Sequence, residues 1–250
     1  MVPMAHTCQP ESGGAWCDAV VFDLDGLLVD SEPIWRAAQI TVFRRHGVVL
    51  TDELCRTTKG RAIGEVAEHW HRRFPWRGAA PSMVAAEVVD EVVALVQAGA
   101  PLLPGAREAV AWCRAQGLQL AVASSSSRRV IEAALAPHGL WTAFDAVCSA
   151  EAVPAGKPDP AVFLAAARSL GLSPSRCLVL EDSELGATAA LAAGMACAVV
   201  PEAAAGLGTV AAWDVTADAV LGSLHDLPRS WQAIGERYTA RCRRAGRAPR

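Results

Sequence analysis

The chain predicts an α/β fold: a Rossmann-like parallel sheet with helices on both faces and a helical segment inserted after the first strand. Three observations carry that expectation. From residue 19 onward, short apolar runs alternate with segments of helical period, the pattern of βα units that build a parallel sheet. Four of those runs end in clusters of carboxylates, serines or a lysine, and ligands of such sheets bind beyond the carboxyl ends of the strands. Between residues 33 and 98 the alternation stops, and only helical periods are found.

Taken in order, strands are expected at 19–23, 118–124, 144–148, 177–181 and 197–200, with a short last one at 219–221. Helices are expected at 106–116, 127–137, 160–170 and 184–193 between them, and at 33–46, 60–73 and 82–98 in the insertion. This gives a core domain of residues 18–31 and 101–236 and a helical cap of residues 32–100. Both junctions, 30–33 and 100–105, carry proline, which suits a hinge. Residues 1–17 read as a flexible arm. Residues 237–250, with six arginines and no acid, read as a disordered basic tail.

Composition narrows the function classes. At 52% hydrophobic over 250 residues, the chain can bury a substantial core. No apolar run reaches the length of a membrane span. The first eighteen residues lack the basic start and continuous apolar centre of a signal peptide, so a cytoplasmic protein is expected. A net charge of −3 argues against general nucleic-acid binding. The eight cysteines form no CxxC pair and sit mostly in apolar runs, as buried free thiols would. Of the 23 basic residues only Lys59 and Lys157 are lysines. Where arginine is so favoured, a retained lysine suggests a place too crowded for a guanidinium fork.

The four clusters fit one task. Asp23 and Asp25 follow the first apolar run, where adjacent carboxylates repel each other and are costly to desolvate. Ser124 to Ser127 follow the second, Lys157 lies in the loop after the third, and Glu181 and Asp182 end the fourth. Each has a plain structural reading alone: serines cap helices, and acidic residues favour helix N-termini. Together, Asp23, Asp182 and Glu181 make a hard oxygen site for Mg²⁺ that relieves the carboxylate repulsion. Ser124, nearby backbone N–H groups and Lys157 would hold a phosphoryl group where transition-state charge collects. His69 and His71, two residues apart on a helix, face different ways and do not suit a shared metal.

In order and spacing, "DLDGLLVDSE", the serine after "LAVAS", "GKPDP" and "LEDSELG" resemble the four motifs of the haloacid dehalogenase-like (HAD) superfamily, and the insertion resembles its small helical cap. "DGLLVDSEPIW", "FPW" and "PLLPGAREAV" are similar to the phosphatases that act on 2-deoxyglucose 6-phosphate and hexitol phosphates. The resemblance implies that Asp23 is a nucleophile forming an aspartyl phosphate and that Asp25 is the general acid and base. It implies that Asp23, Asp182 and the Asp25 carbonyl bind Mg²⁺ with help from Glu181. It also implies that Ser124, the N–H of Ser125 and Lys157 hold the phosphoryl group. Glu32, Trp35, Lys59 and Arg61 are the candidates for contact with the leaving group. The expected ligand is a small phosphate ester, and the expected state is a monomer.

Two alternatives remain. Beta-phosphoglucomutases are close relatives, but they carry a cap histidine where this chain aligns Trp35, and a cap lysine where it offers residues 92–95. A catalytically silent scaffold would normally show a broken motif, and all four motifs are intact. Hydrolysis of a sugar or sugar-alcohol phosphate is therefore the expected activity.

Overall fold

The structure is a computed structural model that describes residues 16–201, 210, 213, 214 and 216–245. Six parallel strands stand in the order β3-β2-β1-β4-β5-β6. They are β1 (Ala19–Phe22), β2 (Gln119–Ser124), β3 (Ala146–Ser149), β4 (Cys177–Glu181), β5 (Ala196–Val199) and β6 (Ala219–Val220). All six match expected strands to within two residues at either end. Strand β1 is central and apolar on both faces, as a doubly covered parallel strand must be. Its side chains alternate: Val20 and Phe22 enter the core on one face of the sheet, and Ala19 and Val21 enter the core on the other.

The chain runs from β1 outward through β2 and β3, then returns to place β4 on the other side of β1. That reversal opens a crevice at the carboxyl ends of β1 and β4. Helices α5 (Ala106–Ala115), α6 (Arg128–Leu135), α7 (Ala161–Leu170) and α8 (Glu184–Ala192) follow the expected positions.

The inserted segment holds α1 (Glu32–Arg45), α2 (Asp52–Arg56), α3 (Ile63–Arg73) and α4 (Pro81–Gly99). The two strands of chain that enter and leave it run side by side: Asp30 N–H donates to Pro101 O at 2.9 Å and Leu103 N–H to Leu28 O at 3.0 Å. At the other end, Arg129 on α6 pairs with Asp90 on α4 at 2.8 Å. No helix among the described residues is long and apolar enough to cross a membrane.

Two expectations about the chain ends are corrected. The region from residue 237 is not a loose tail over its described part: α9 (Leu227–Arg244) continues to residue 244. Ile234, Tyr238 and Cys242, four residues apart, are buried along one side of α9, and the arginines share the rest of it. Arg241 also pairs with the buried carboxylate of Asp218 at 2.8 Å. At the other end, Cys17 is buried in the core and the partly buried Trp16 packs against it, with its ring centroid 4.7 Å from that of Trp231. Residues 1–15 of the expected arm and 246–250 of the expected tail lie outside the described residues. Seven cysteines are free, and six of them are buried; Cys8 lies outside the described residues.

Candidate active site

The crevice at the ends of β1 and β4 holds the site. Asp23 follows β1 directly, tied to β4 by its N–H donating to Leu180 O at 3.0 Å. Glu181 ends β4 and Asp182 follows it, with Ser183 capping α8 by accepting from Gly186 N–H at 3.1 Å. Ser124 ends β2. Gly26 turns the chain with φ +84°, and a Cβ there would overlap the Asp182 carboxylate, so only glycine brings the two loops this close. Carboxylate oxygens of Asp23, Glu181 and Asp182 fall within 4.8 Å of one another, and all three residues are buried.

Lys157 enters this acidic cluster from the loop after β3. Its Nζ donates to Asp23 Oδ1 and to Glu181 Oε1, both at 2.6 Å, and it is almost fully buried. The second lysine also reaches the cluster: Lys59 Nζ stands 2.8 Å from Asp182 Oδ2. Both lysines of the chain thus oppose different carboxylates of one acidic cluster, as two compact ammonium groups in a tight space can. Glu181 is saturated. Its Oε2 accepts from the N–H groups of Asp182 and Ser183, each at 2.8 Å, and from Ser183 Oγ at 2.9 Å, while Oε1 faces Lys157.

The electrostatics follow from this crowding. Burial raises the Asp23 carboxyl well above the usual range, Lys157 opposes that, and the neighbouring acids add to it. Burial pushes Asp182 up to about 7, against the pull of Lys59. For Glu181, Lys157 and the Ser183 donors outweigh burial and hold the carboxyl low. Lys157 is held in its charged form, since its two carboxylates outweigh its burial. Fully ionised, the three carboxylates would outnumber the two lysine ammonium groups, and burial with mutual repulsion raises Asp23 and Asp182 accordingly. Oxygen donors in that state fit a hard divalent cation.

Asp25 lies outside the acidic triad and is held by four donors. Its Oδ1 accepts from Ser31 Oγ at 2.5 Å and from Trp35 Nε1 at 2.8 Å. Its Oδ2 accepts from Ser126 Oγ at 2.5 Å and from Ser124 Oγ at 3.2 Å. One carboxylate thus joins the loop after β2, the linker and helix α1. The serine run divides its work: Ser127 caps α6 by accepting from Val130 N–H at 3.3 Å, while Ser125 Oγ donates across to Gly60 O at 3.0 Å.

All eleven candidate residues line one pocket between the sheet edge and the inserted helices. Within it, Trp35 touches Asp25 itself. Glu32 lies 3.7 Å from Arg36, which also pairs with Asp52 at 2.6 Å. Arg61 is exposed at the pocket wall. Sequence reasoning did not single out Ser31, Arg36, Gln39 or Thr58, which the fold also brings to the site.

The family model for haloacid dehalogenase-like hydrolases matches residues 17–194. The chain is 43% identical over 185 residues to hexitol phosphatase B of Escherichia coli K12, an alignment that covers 73% of this chain and 83% of that protein. CbbY from Rhodobacter sphaeroides, solved in complex with phosphate, superposes with a TM-score of 0.76 at 29% identity, over 84% of this chain and 96% of that one. Beta-phosphoglucomutase from Clostridium difficile shares the fold, with a TM-score of 0.75 at 22% identity over 90% of this chain and 98% of that one. With all four motifs gathered at one end of a parallel sheet, the chain belongs to the haloacid dehalogenase-like hydrolase family.

Proposed function

We propose that the protein is a Mg²⁺-dependent phosphatase for small phosphomonoesters, with a sugar or sugar-alcohol phosphate as substrate. One observation carries the reading: Asp23, at the end of the central strand, stands between Lys157 and Asp182 while a second carboxylate, Asp25, faces the same pocket. That is the equipment for moving a phosphoryl group through a carboxylate. The 43% identity to a hexitol phosphatase gives the substrate class its support.

In this reading Asp23 attacks phosphorus in line, the ester P–O bond breaks, and the phosphoryl group rests on Asp23. Asp25 gives its proton to the departing alkoxide. It then takes a proton from the water that attacks the phospho-aspartate, releasing inorganic phosphate and restoring Asp23. Lys157, Ser124 and the N–H of Ser125 hold the phosphoryl oxygens. Asp23, Asp182 and the Asp25 carbonyl would hold Mg²⁺, which supplies positive charge against the transferring group. Glu181, with both oxygens engaged, serves by fixing Lys157 and the Asp182 loop. The inserted helices act as the cap, since they close the pocket and bring Trp35 onto Asp25.

Hexitol phosphate and Mg²⁺ are expected to yield inorganic phosphate and free hexitol. Phosphorus NMR of β-glucose 1-phosphate turnover, if that ester is accepted, is expected to show phosphate without build-up of glucose 6-phosphate. Accumulation of the isomer faster than phosphate would replace the phosphatase reading with a mutase. EDTA is expected to abolish turnover. Mg²⁺ at about a hundredfold over its Kd is expected to stabilise the fold by about 2.7 kcal/mol in thermal melting. Full activity in EDTA, or melting indifferent to Mg²⁺, would overturn the metal assignment.

A further inference from the structure

Helix α1 turns one face to the pocket, and its contributions follow helical spacing: Glu32, Trp35, Arg36 and Gln39. Three of the four are already engaged. Trp35 donates to Asp25, and Arg36 pairs with Asp52 and Glu32. Gln39 differs. It is 7% exposed, lines the pocket, and its Oε1 is buried without a hydrogen-bond partner. A buried acceptor left unmatched is uncommon in folded proteins and calls for an explanation. A ligand in the pocket supplies one.

The position says what that ligand must offer. Trp35 reaches the carboxylate that serves the scissile oxygen. Gln39 lies four residues on, about 6 Å further along the helix axis and away from the linker. A group meeting Gln39 therefore belongs to the part of the leaving alcohol remote from phosphorus. A carboxamide presents both an acceptor and a donor, and a hydroxyl can answer either. A fully ionised second phosphate only accepts, so it could meet the amide Nε2 but would leave Oε1 unmatched. The charged neighbours on the same face compensate one another, so a neutral hydroxyl meets no unbalanced charge there.

We propose that Gln39 is a specificity-determining residue, hydrogen-bonding a distal hydroxyl of a polyhydroxylated leaving group. The inference rests on the phosphatase reading and narrows it: long neutral polyols are preferred to short alcohols.

The test compares kcat/KM for glucitol 6-phosphate and glycerol 3-phosphate in the wild type and in Gln39→Met, which fills a similar volume without the amide. The wild type is expected to prefer the hexitol ester, and the preference is expected to fall about tenfold or more in Gln39→Met. Because the variant removes an unmatched buried acceptor, its Tm is expected to rise by roughly 2 °C or more, whereas loss of a merely structural contact would lower it. An unchanged preference would overturn the proposal. So would an equal loss on both esters with a lower Tm. Wild-type preference for the glycerol ester would overturn it while leaving the phosphatase reading intact. A wild type inactive on every phosphate ester would remove both, and would be seen before any variant is made.

Discussion

Asp23→Asn is expected to reduce phosphate release by at least about 10³-fold, the scale on which loss of a covalent nucleophile is felt. The amide keeps the shape of the side chain but cannot attack phosphorus. It also removes one of the two carboxylates that hold Lys157 at 2.6 Å; Glu181 remains to keep the ammonium paired, so the site should not collapse. Burial already disfavours the ionised form of Asp23, which makes a neutral isostere there tolerable to the fold. Two measurements separate chemistry from stability. Labelling with a radioactive phosphate ester is expected to mark the wild type on a carboxyl group and leave the variant unmarked. Melting is expected to show a cooperative transition in both. A folded variant that still turns over at the wild-type rate would end the case for Asp23 as nucleophile.

The same site illustrates what a sequence makes visible. Asp23, Ser124, Lys157, Glu181 and Asp182 sit where apolar runs stop or in the loop that follows, so the strand pattern alone lines them up on one edge of the sheet. Lys157 carried an added sign, being a lysine in an arginine-rich chain, and it is buried between two carboxylates. The donors around Asp25 were harder to see. Ser126 is 101 residues away from it in sequence, and only the pairing of β1 with β2 brings them together. Trp35 suggested substrate contact because its indole was expected in the cap; its hydrogen bond to Asp25 depends on how α1 leaves the linker. Gln39 gave no signal, since an amide on a helix is ordinary until its surroundings are known. Helix α2, five residues long, is too short to show a period. Helix α9 did carry an apolar stripe, but its arginines concealed it.

Asp25→Ala carries the second large effect. It is expected to depend on the leaving group. An alkyl phosphate departs as a strongly basic alkoxide and needs a proton in the transition state, so loss of the acid is expected to slow it by about 10²- to 10⁴-fold. An aryl ester such as p-nitrophenyl phosphate leaves as a stabilised phenolate and needs little protonation. Phospho-enzyme is therefore expected to form from the aryl ester in the variant at a rate much closer to the wild type. It should then persist, because the base that deprotonates the attacking water is gone. The structure adds a reason to look at the second step. Four donors, from Ser31, Trp35, Ser124 and Ser126, converge on the Asp25 carboxylate. Donors of that kind fix the carboxylate in one orientation at the pocket, where the attacking water must meet it. Trp35 belongs to the inserted helices, so the set of four donors is complete only with α1 over the sheet edge. Rapid-quench measurement of phospho-enzyme from both ester types would separate the steps. Equal losses in its formation on alkyl and aryl substrates would mean that Asp25 acts through the metal site or the fold, and not by proton transfer.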